Sequence, residues 1–256
     1  MRIGGNIFMF FSPFISILSF LTIIPMPKYH NYNLNTIARN MYFFPLCGAI
    51  IGSIVGVVAF ISLSFVPTYI ASLAILVTYV IITGIHHIDG LADFADGLMI
   101  RGSRESKRKA MLDPIVGSAG ATALVINFIG LFIALSNFES PLKLFYAIIV
   151  SEVIGKYIMV LQATVGKSSW SGLSSPFTIE MKKGSKIIIS ILFTVTLVIF
   201  MQGIDGLLVL AIVILIGFVI YLISYKNFGG VNGDVFGASN EICRLTSLLI
   251  LSAIAI

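Results

Sequence analysis

The chain has 256 residues, of which 58% are hydrophobic and only 11% are charged, with a mean hydropathy of +1.05. One soluble core cannot bury so much apolar surface, so the composition excludes an ordinary soluble domain and favours an integral membrane protein. The net charge of +5 does not indicate nucleic-acid binding. The basic residues lie between apolar segments, as they do in the cytoplasmic loops of membrane proteins.

Apolar windows long enough to cross a bilayer predict seven or eight membrane helices. The first window has a longer apolar run than a secretory signal peptide, and no small-residue cleavage site follows it. We therefore expect this segment to be retained. In the second window Gly48, Gly52 and Gly56 stand four apart, a spacing that favours close helix packing. The windows fall at 7–25, 43–66, 69–88, 118–136, 142–164, 186–203, 206–225 and 243–256.

The loops between these windows alternate between two kinds. Short turns with almost no charge follow the second, fourth and sixth windows, whereas the other loops are long and basic. Because Lys and Arg mark the cytoplasmic side, we expect the basic loops to face the cytoplasm of a multi-pass plasma-membrane protein. Most acidic residues fall on that same side, which indicates a site there. The basic residues used for this assignment are Lys28, Arg39, Arg101, Arg104, Lys107, Arg108, Lys109, Lys167, Lys182, Lys183, Lys186 and Lys226.

The segment HHIDGLADFADGL carries Asp89, Asp93 and Asp96 at spacings of four and three. On a helix these carboxylates share one narrow face, and such close like charges need a cation among them. Mg²⁺ is the natural candidate, because it bridges a few carboxylates to substrate phosphates. The alternative is an amphipathic helix at the membrane surface whose acids face water. Gly90 and Gly97 favour the close approach of a large ligand.

The two histidines that open this segment, His86 and His87, are interpreted as interfacial or packing residues. Downstream, Arg101 and Arg108 have the chemistry to hold a diphosphate, although loop topology alone also accounts for them. Asp113 precedes a proline and is either a ligand or a helix cap.

A third segment, GGVNGDVFGASNE, places Asp234 and Glu241 seven residues apart, on one face if helical. Gly230 and Gly233 would let the backbone approach a ligand closely. The alternative is a plain loop with a helix cap at Asp234.

These segments together resemble the cobalamin synthase family, the adenosylcobinamide-GDP ribazoletransferases, over nearly the whole chain. The family pattern H-x-D-G-L-A-D-x-x-D-G is matched at 87–97, M-x-D-x-x-x-G-x-x-G at 111–120, and G-G-x-x-G-D-x-x-G-A-x-x-E-I at 229–242. The chain departs from the family at Ile115, where an Arg is common, and at Arg244, where an acid is frequent.

The resemblance implies a single integral-membrane transferase domain over residues 1–256, with a cytoplasmic helix carrying the aspartates. It implies that the 5′ oxygen of α-ribazole, or of its 5′-phosphate, attacks the cobinamide-linked phosphorus of adenosylcobinamide-GDP and releases GMP. Asp89, Asp93 and Asp96 would hold Mg²⁺, and one of them or Asp234 would take the proton. A homo-oligomer, or a complex with other cobalamin-assembly enzymes, is a further expectation.

Two other functions fit parts of the pattern. A CDP-alcohol phosphotransferase also uses aspartates on membrane helices with Mg²⁺, but it needs D-G-x-x-A-R where this chain has D-G-L-A-D. An ion-coupled transporter would place its acids near the bilayer midplane and repeat its halves, and neither feature is evident in the sequence.

Overall fold

The computed structural model describes residues 13–25, 33–172 and 174–255. Apart from an isolated parallel bridge between Ser168 and Val231, the elements within these ranges are helical, which confirms the predicted all-α fold. Residues 13–21 form α1. The later elements are α2 (Leu34–Arg39), a 3₁₀ turn (Met41–Phe43), α3 (Phe44–Phe65), α4 (Thr68–Thr83), α5 (His86–Met99), α6 (Arg104–Met111), α7 (Ser118–Ser136), α8 (Pro141–Val165), α9 (Ser175–Met181), α10 (Ile187–Phe228) and α11 (Gly233–Ala255).

Four helices among the described residues are long and apolar enough to cross a membrane: Met41–Phe65, Ser118–Ser136, Pro141–Val165 and Ile187–Phe228. The number becomes five if α4 and α5 form one broken span. The predicted seven or eight spans are therefore not confirmed. Part of the difference lies in α10, which joins two predicted windows across Gly203, where a φ of 58° and a ψ of −137° interrupt the helix. Residues 7–12 of the first predicted window, and Lys28, lie outside the described ranges.

The helix α8 forms the centre of the bundle, because most of its side chains are buried. Helix α3 packs along it through the three glycines of the second window. A Cβ atom added at Gly48 would come within 2.7 Å of the Glu152 carbonyl oxygen, and one at Gly52 within 2.7 Å of the Ile149 Cα. At Gly56 it would meet the Phe145 ring at 2.8 Å. The predicted packing role of these glycines is confirmed.

The axes of α4 and α5 differ in direction by 93°. The two helices are joined by a turn at Gly84, whose φ of 64° suits glycine. We therefore treat α5 as lying outside the membrane-spanning segments. It packs against the first turns of α11, where glycines allow the backbones to meet. A Cβ at Gly90 would stand 3.0 Å from the Asp234 Cα, and one at Gly237 would stand 3.1 Å from the His87 Cα.

The expectation that Gly90 and Gly97 admit a ligand is wrong, since both contact protein. Gly90 faces the Asp234 backbone, and a Cβ at Gly97 would lie 3.0 Å from the Phe228 ring at the end of α10. The glycines thus bring α10 and α11 against the aspartate-bearing helix.

Basic loops from distant parts of the chain contact one another. Arg104 of α6 donates hydrogen bonds of 3.3 Å to the backbone carbonyls of Tyr225 and Lys226, at the end of α10. Arg39, at the end of α2, forms an ion pair of 3.6 Å with Glu180 of α9. Basic loops that are far apart in sequence therefore contact one another, α6 with the end of α10 and α2 with α9.

Candidate active site

Three carboxylates from two helices form an acidic cluster, which we define as Asp89 and Asp93 of α5 with Asp234 of α11. The pKa of the Asp93 carboxyl is raised to about 7, first by burial and then by the negative charges of Asp89, Asp234 and Asp96. The close packing of Gly90 on the Asp234 backbone explains how residues so far apart in sequence meet. A cluster of ionised carboxylates is costly unless a cation or a proton is present.

The fourth aspartate, Asp96, is engaged elsewhere. Its Oδ2 accepts a hydrogen bond of 2.7 Å from the Gly117 N–H, and its Oδ1 accepts one of 2.8 Å from the Gly120 N–H. These amides belong to the first turn of α7 and to the residue before it, where unpaired N–H groups and the helix dipole favour an anion. Asp96 therefore joins α5 to α7.

The acidic cluster has suitable donors for a magnesium ion, although no three His, Cys, Asp or Glu side chains in the described ranges converge as a ready-made metal site. Mg²⁺ prefers oxygen ligands and is usually held by one or two protein carboxylates together with waters and substrate phosphates. Burial and the negative charges of its neighbours both raise the pKa of Asp93, and a divalent cation bound there would stabilise its ionised form. The three-aspartate metal site stays a prediction.

A cavity of about 600 Å³ opens beside the acidic cluster, and we call it the apolar cavity. Its polar side chains are concentrated where α5 and α11 begin, at His86, His87, Asp89 and Asp234. The remaining lining comes mostly from apolar residues of α1, α2, α3, α8, α9 and α11. The lining residues are Ser19, Phe20, Leu34, Ile37, Met41, Phe44, His86, His87, Asp89, Met159, Ser174, Phe177, Gly233, Asp234 and Phe236.

A smaller cavity of about 280 Å³ lies towards the other end of α5, and we call it the basic cavity. Phe228 lines this cavity, and the centre of its ring lies 5.8 Å from that of Phe94 in α5. Three cations face one acid there, and the guanidinium of Arg108 lies 4.9 Å from the centre of the Trp170 ring. The lining residues are Arg104, Glu105, Arg108, Lys167, Ser168, Ser169, Trp170, Phe228 and Gly229.

The other predicted binding residues divide between these cavities and plain structural positions. Gly233 lines the apolar cavity and Arg108 lines the basic one, whereas Arg101 is exposed and lines neither. Asp113 is exposed and accepts a hydrogen bond of 2.9 Å from the Ile115 N–H, a local turn. A side chain at Gly230 would collide with the backbone at 167–169, so this glycine packs against protein instead of a ligand.

Glu241 lies deeper, in a fully buried ion network that we define as Glu152, Lys156, Glu241 and Arg244. Lys156 Nζ lies 3.1 Å from Glu152, and Arg244 lies 3.2 Å from Glu152 and also pairs with Glu241. The Arg244 guanidinium stacks 4.4 Å from the centre of the Tyr79 ring. Because every carboxylate in the network has a cation, Glu241 acts within the protein and has no exposed oxygen for a substrate.

Several residues that line the two cavities were not predicted as site residues from the sequence. Trp170, Lys167 and Phe177 lie in a long basic loop that has no periodic pattern, and Phe20 and Phe44 come from two apolar windows that look like ordinary core. The single tryptophan of the chain, placed in a polar loop, was the one signal that could have pointed to the basic cavity.

Comparison with known proteins gives a consistent answer. A family model described as cobalamin-5-phosphate synthase matches residues 13–252. Curated relatives named adenosylcobinamide-GDP ribazoletransferase include a protein of Archaeoglobus fulgidus, 36% identical over 93% of this chain and 95% of its own. Others come from Methanocella arvoryzae, 31% identical over 93% and 94%, and from Methanococcoides burtonii, 30% identical over 91% and 89%. No solved structure matches the chain. With its aspartate motif and nearly its full length matched, the chain belongs to the cobalamin-5-phosphate synthase family.

Proposed function

We propose that this chain is an adenosylcobinamide-GDP ribazoletransferase, the activity for which its curated relatives are named. In the reaction, an oxygen of α-ribazole or its 5′-phosphate bonds to the cobinamide-linked phosphorus of adenosylcobinamide-GDP. The bond from that phosphorus to the oxygen shared with GMP breaks, and GMP leaves with the electron pair. The observation that carries the proposal is the meeting of two family-pattern segments, 87–97 and 229–242, at the acidic cluster.

The attacking oxygen differs from the 5′ oxygen that the sequence led us to expect. The family description names a cobalamin 5-phosphate as the product, so the phosphate of α-ribazole 5′-phosphate stays at the 5′ position. Attack by an oxygen of that phosphate would instead create a new diphosphate. The nucleophile is therefore a hydroxyl on the ribose ring, and the 5′ oxygen expected from the sequence is wrong.

The acidic cluster supplies the proton acceptor for that hydroxyl. Asp93 has a pKa raised to about 7, close to the pH at which a general base both exists in its ionised form and accepts a proton readily. Asp89 and Asp234 line the apolar cavity directly, so they also stand where a substrate hydroxyl can reach them. When bound by these carboxylates, Mg²⁺ would neutralise the diphosphate and the departing GMP.

The basic cavity offers a second contact for the anionic substrate. Arg104, Arg108 and Lys167 outnumber Glu105 there, and guanidinium groups suit phosphate oxygens through paired hydrogen bonds. Between Asp89 and Phe94, whose ring contacts that of Phe228, α5 rises by about 7.5 Å. This separation lets one diphosphate-bearing molecule extend from the acidic cluster towards the basic cavity.

We propose that the chain is a multi-pass plasma-membrane protein whose active site faces the cytoplasm. The loops rich in Lys and Arg contact one another near α5, and such loops favour the cytoplasmic side. A single transferase domain with seven or eight spans follows if the two halves of α10, α1, α4 and α11 each count as membrane helices. The protein would act as a homo-oligomer or in a complex with other cobalamin-assembly enzymes. Such a complex would bring the soluble substrates close to this face.

The test uses the full chain, purified in lipid nanodiscs, with adenosylcobinamide-GDP, α-ribazole 5′-phosphate and Mg²⁺. We expect GMP release in step with corrinoid product, and no release when EDTA replaces Mg²⁺. Asp93→Asn should lower the rate by at least about 100-fold, within the usual range for general acid–base groups, while Asp205→Asn, far from the cluster in sequence, serves as the matched control. A wild-type rate in Asp93→Asn, or full activity in EDTA, would refute the assigned role of the cluster.

A further inference from the structure

The apolar cavity has a wall of three aromatic rings. Phe20 of α1, Phe44 of α3 and Phe177 of α9 surround it, with ring centres 5.7 Å apart for Phe20 and Phe177 and 6.2 Å apart for Phe44 and Phe177. Leu34 and Met159 add aliphatic surface. A flat, apolar ring system is the ligand that such a wall favours, because offset stacking adds to the burial of apolar area.

The polar end of the same cavity contains a buried group without a partner. His87 is only 9% exposed, and its Nδ1 has no hydrogen-bond partner among the residues that the structure describes. Buried polar atoms nearly always find a partner, so the unpaired nitrogen points to a ligand atom.

The two substrates differ in a way that matches this shape. Adenosylcobinamide-GDP joins a large macrocycle with polar amide arms to a charged diphosphate. Neither the macrocycle nor the diphosphate suits the apolar cavity of about 600 Å³. The base of α-ribazole is an uncharged fused-ring heterocycle with methyl groups, carried on a ribose. With the base against the phenylalanines, the ribose hydroxyls would lie at the polar end, beside Asp89 and Asp234.

We propose that the apolar cavity binds α-ribazole or its 5′-phosphate, with the heterocyclic base against Phe20, Phe44 and Phe177 and the ribose at His87 and Asp89. The inference rests on the proposed function and adds to it the assignment of one substrate to one cavity. The cavity then sets specificity for the base, and it directs the ribose hydroxyl towards the acidic cluster.

The decisive variant is Phe177→Ala, with Phe218→Ala as its matched control, since Phe218 is half exposed on α10 and lines neither cavity. Loss of one stacked ring should raise KM for α-ribazole 5′-phosphate about 10-fold and leave KM for adenosylcobinamide-GDP within about twofold. Leu34→Trp, which fills the cavity, should have the same selective effect, and it keeps the test available if Phe177→Ala does not fold. A selective rise in KM for adenosylcobinamide-GDP, or no change in either KM in both cavity variants, overturns the assignment.

A binding measurement separates this inference from the reaction itself. Equilibrium dialysis of α-ribazole against the purified chain, without the second substrate, should give a Kd that rises about 10-fold in Phe177→Ala and stays unchanged in Phe218→Ala. If wild type binds α-ribazole in this way yet releases no GMP, the proposed function fails and the cavity assignment survives. If GMP is released but the Kd does not respond to Phe177, the cavity assignment fails alone.

Discussion

The carboxylate of Asp96 accepts a hydrogen bond of 2.7 Å from the backbone N–H of Gly117, across the join between α5 and α7. Gly120 completes the contact at 2.8 Å. A side chain at either glycine would occupy the space of the carboxylate. The glycines at 117 and 120 and the last aspartate of the 87–97 pattern therefore form one structural unit.

We expect Asp96→Ala to lower the free energy of unfolding by about 3 kcal/mol, because two hydrogen bonds to a charged group are lost and each is worth at least about 1.5 kcal/mol. Gly120→Ala should destabilise the protein as well, since its Cβ would lie 2.5 Å from Asp96 Oδ2 and 2.9 Å from the Ala92 carbonyl oxygen. Thermal unfolding of the purified protein measures both. Asp113→Ala is the control, because that exposed carboxylate makes only a local turn. A fully stable Asp96→Ala that has merely lost Mg²⁺ affinity would contradict this structural role.

The helical spacing of Asp89, Asp93 and Asp96 was predictable from sequence, and so was their common helix. The division of labour among them was not, because it depends on a contact with amides more than twenty residues later. Two glycines three apart, at the start of an apolar window, were a usable signal for a helix N-terminus that accepts an anion. The predicted binding role of Glu241 was wrong for a related reason. Helical spacing places Glu241 on the same face as Asp234, but it lies deeper in the bundle and pairs with Arg244.

The acidic cluster predicts a pH dependence of stability. A carboxyl whose pKa is raised from 3.8 to about 7 binds protons more tightly when folded, so its contribution is complete below about pH 4 and is lost as the pH rises through 7. Without divalent cations, the melting temperature of the wild-type protein should fall between pH 5 and pH 8. Mg²⁺ should restore it, and most strongly above pH 7, where Asp93 is ionised.

Asp93→Asn should flatten this profile, since the neutral amide neither titrates nor repels its neighbours. Differential scanning fluorimetry at several pH values, with EDTA or with Mg²⁺, gives the comparison. Asp205→Asn should keep the wild-type slope. An identical slope in Asp93→Asn would show that another group causes the pH dependence.

The basic cavity predicts a loss of affinity for the diphosphate-bearing substrate. Arg108→Ala and Lys167→Ala should each raise KM for adenosylcobinamide-GDP by about 10-fold, as expected when a charged hydrogen-bond donor is removed. KM for α-ribazole should stay unchanged. Steady-state kinetics with each substrate varied in turn gives both values. Lys109→Ala is the matched control, because Lys109 is exposed on the same helix and lines neither cavity; an equal effect there would indicate a general loss of positive charge.

The buried ion network predicts a charge-balance effect on stability. Glu152 and Glu241 share the cations Lys156 and Arg244, and all four side chains are buried. Arg244→Met leaves two carboxylates with one cation, and breaking a buried pair in this way costs about 3 to 5 kcal/mol. The double variant Arg244→Met with Glu241→Gln removes one charge of each sign, so it should be more stable than Arg244→Met alone. Chemical or thermal unfolding of the wild type, both single variants and the double variant yields the coupling energy. If the two single effects simply add, Arg244 and Glu241 are not coupled, and the arginine that replaces the family's frequent acid has some other structural role.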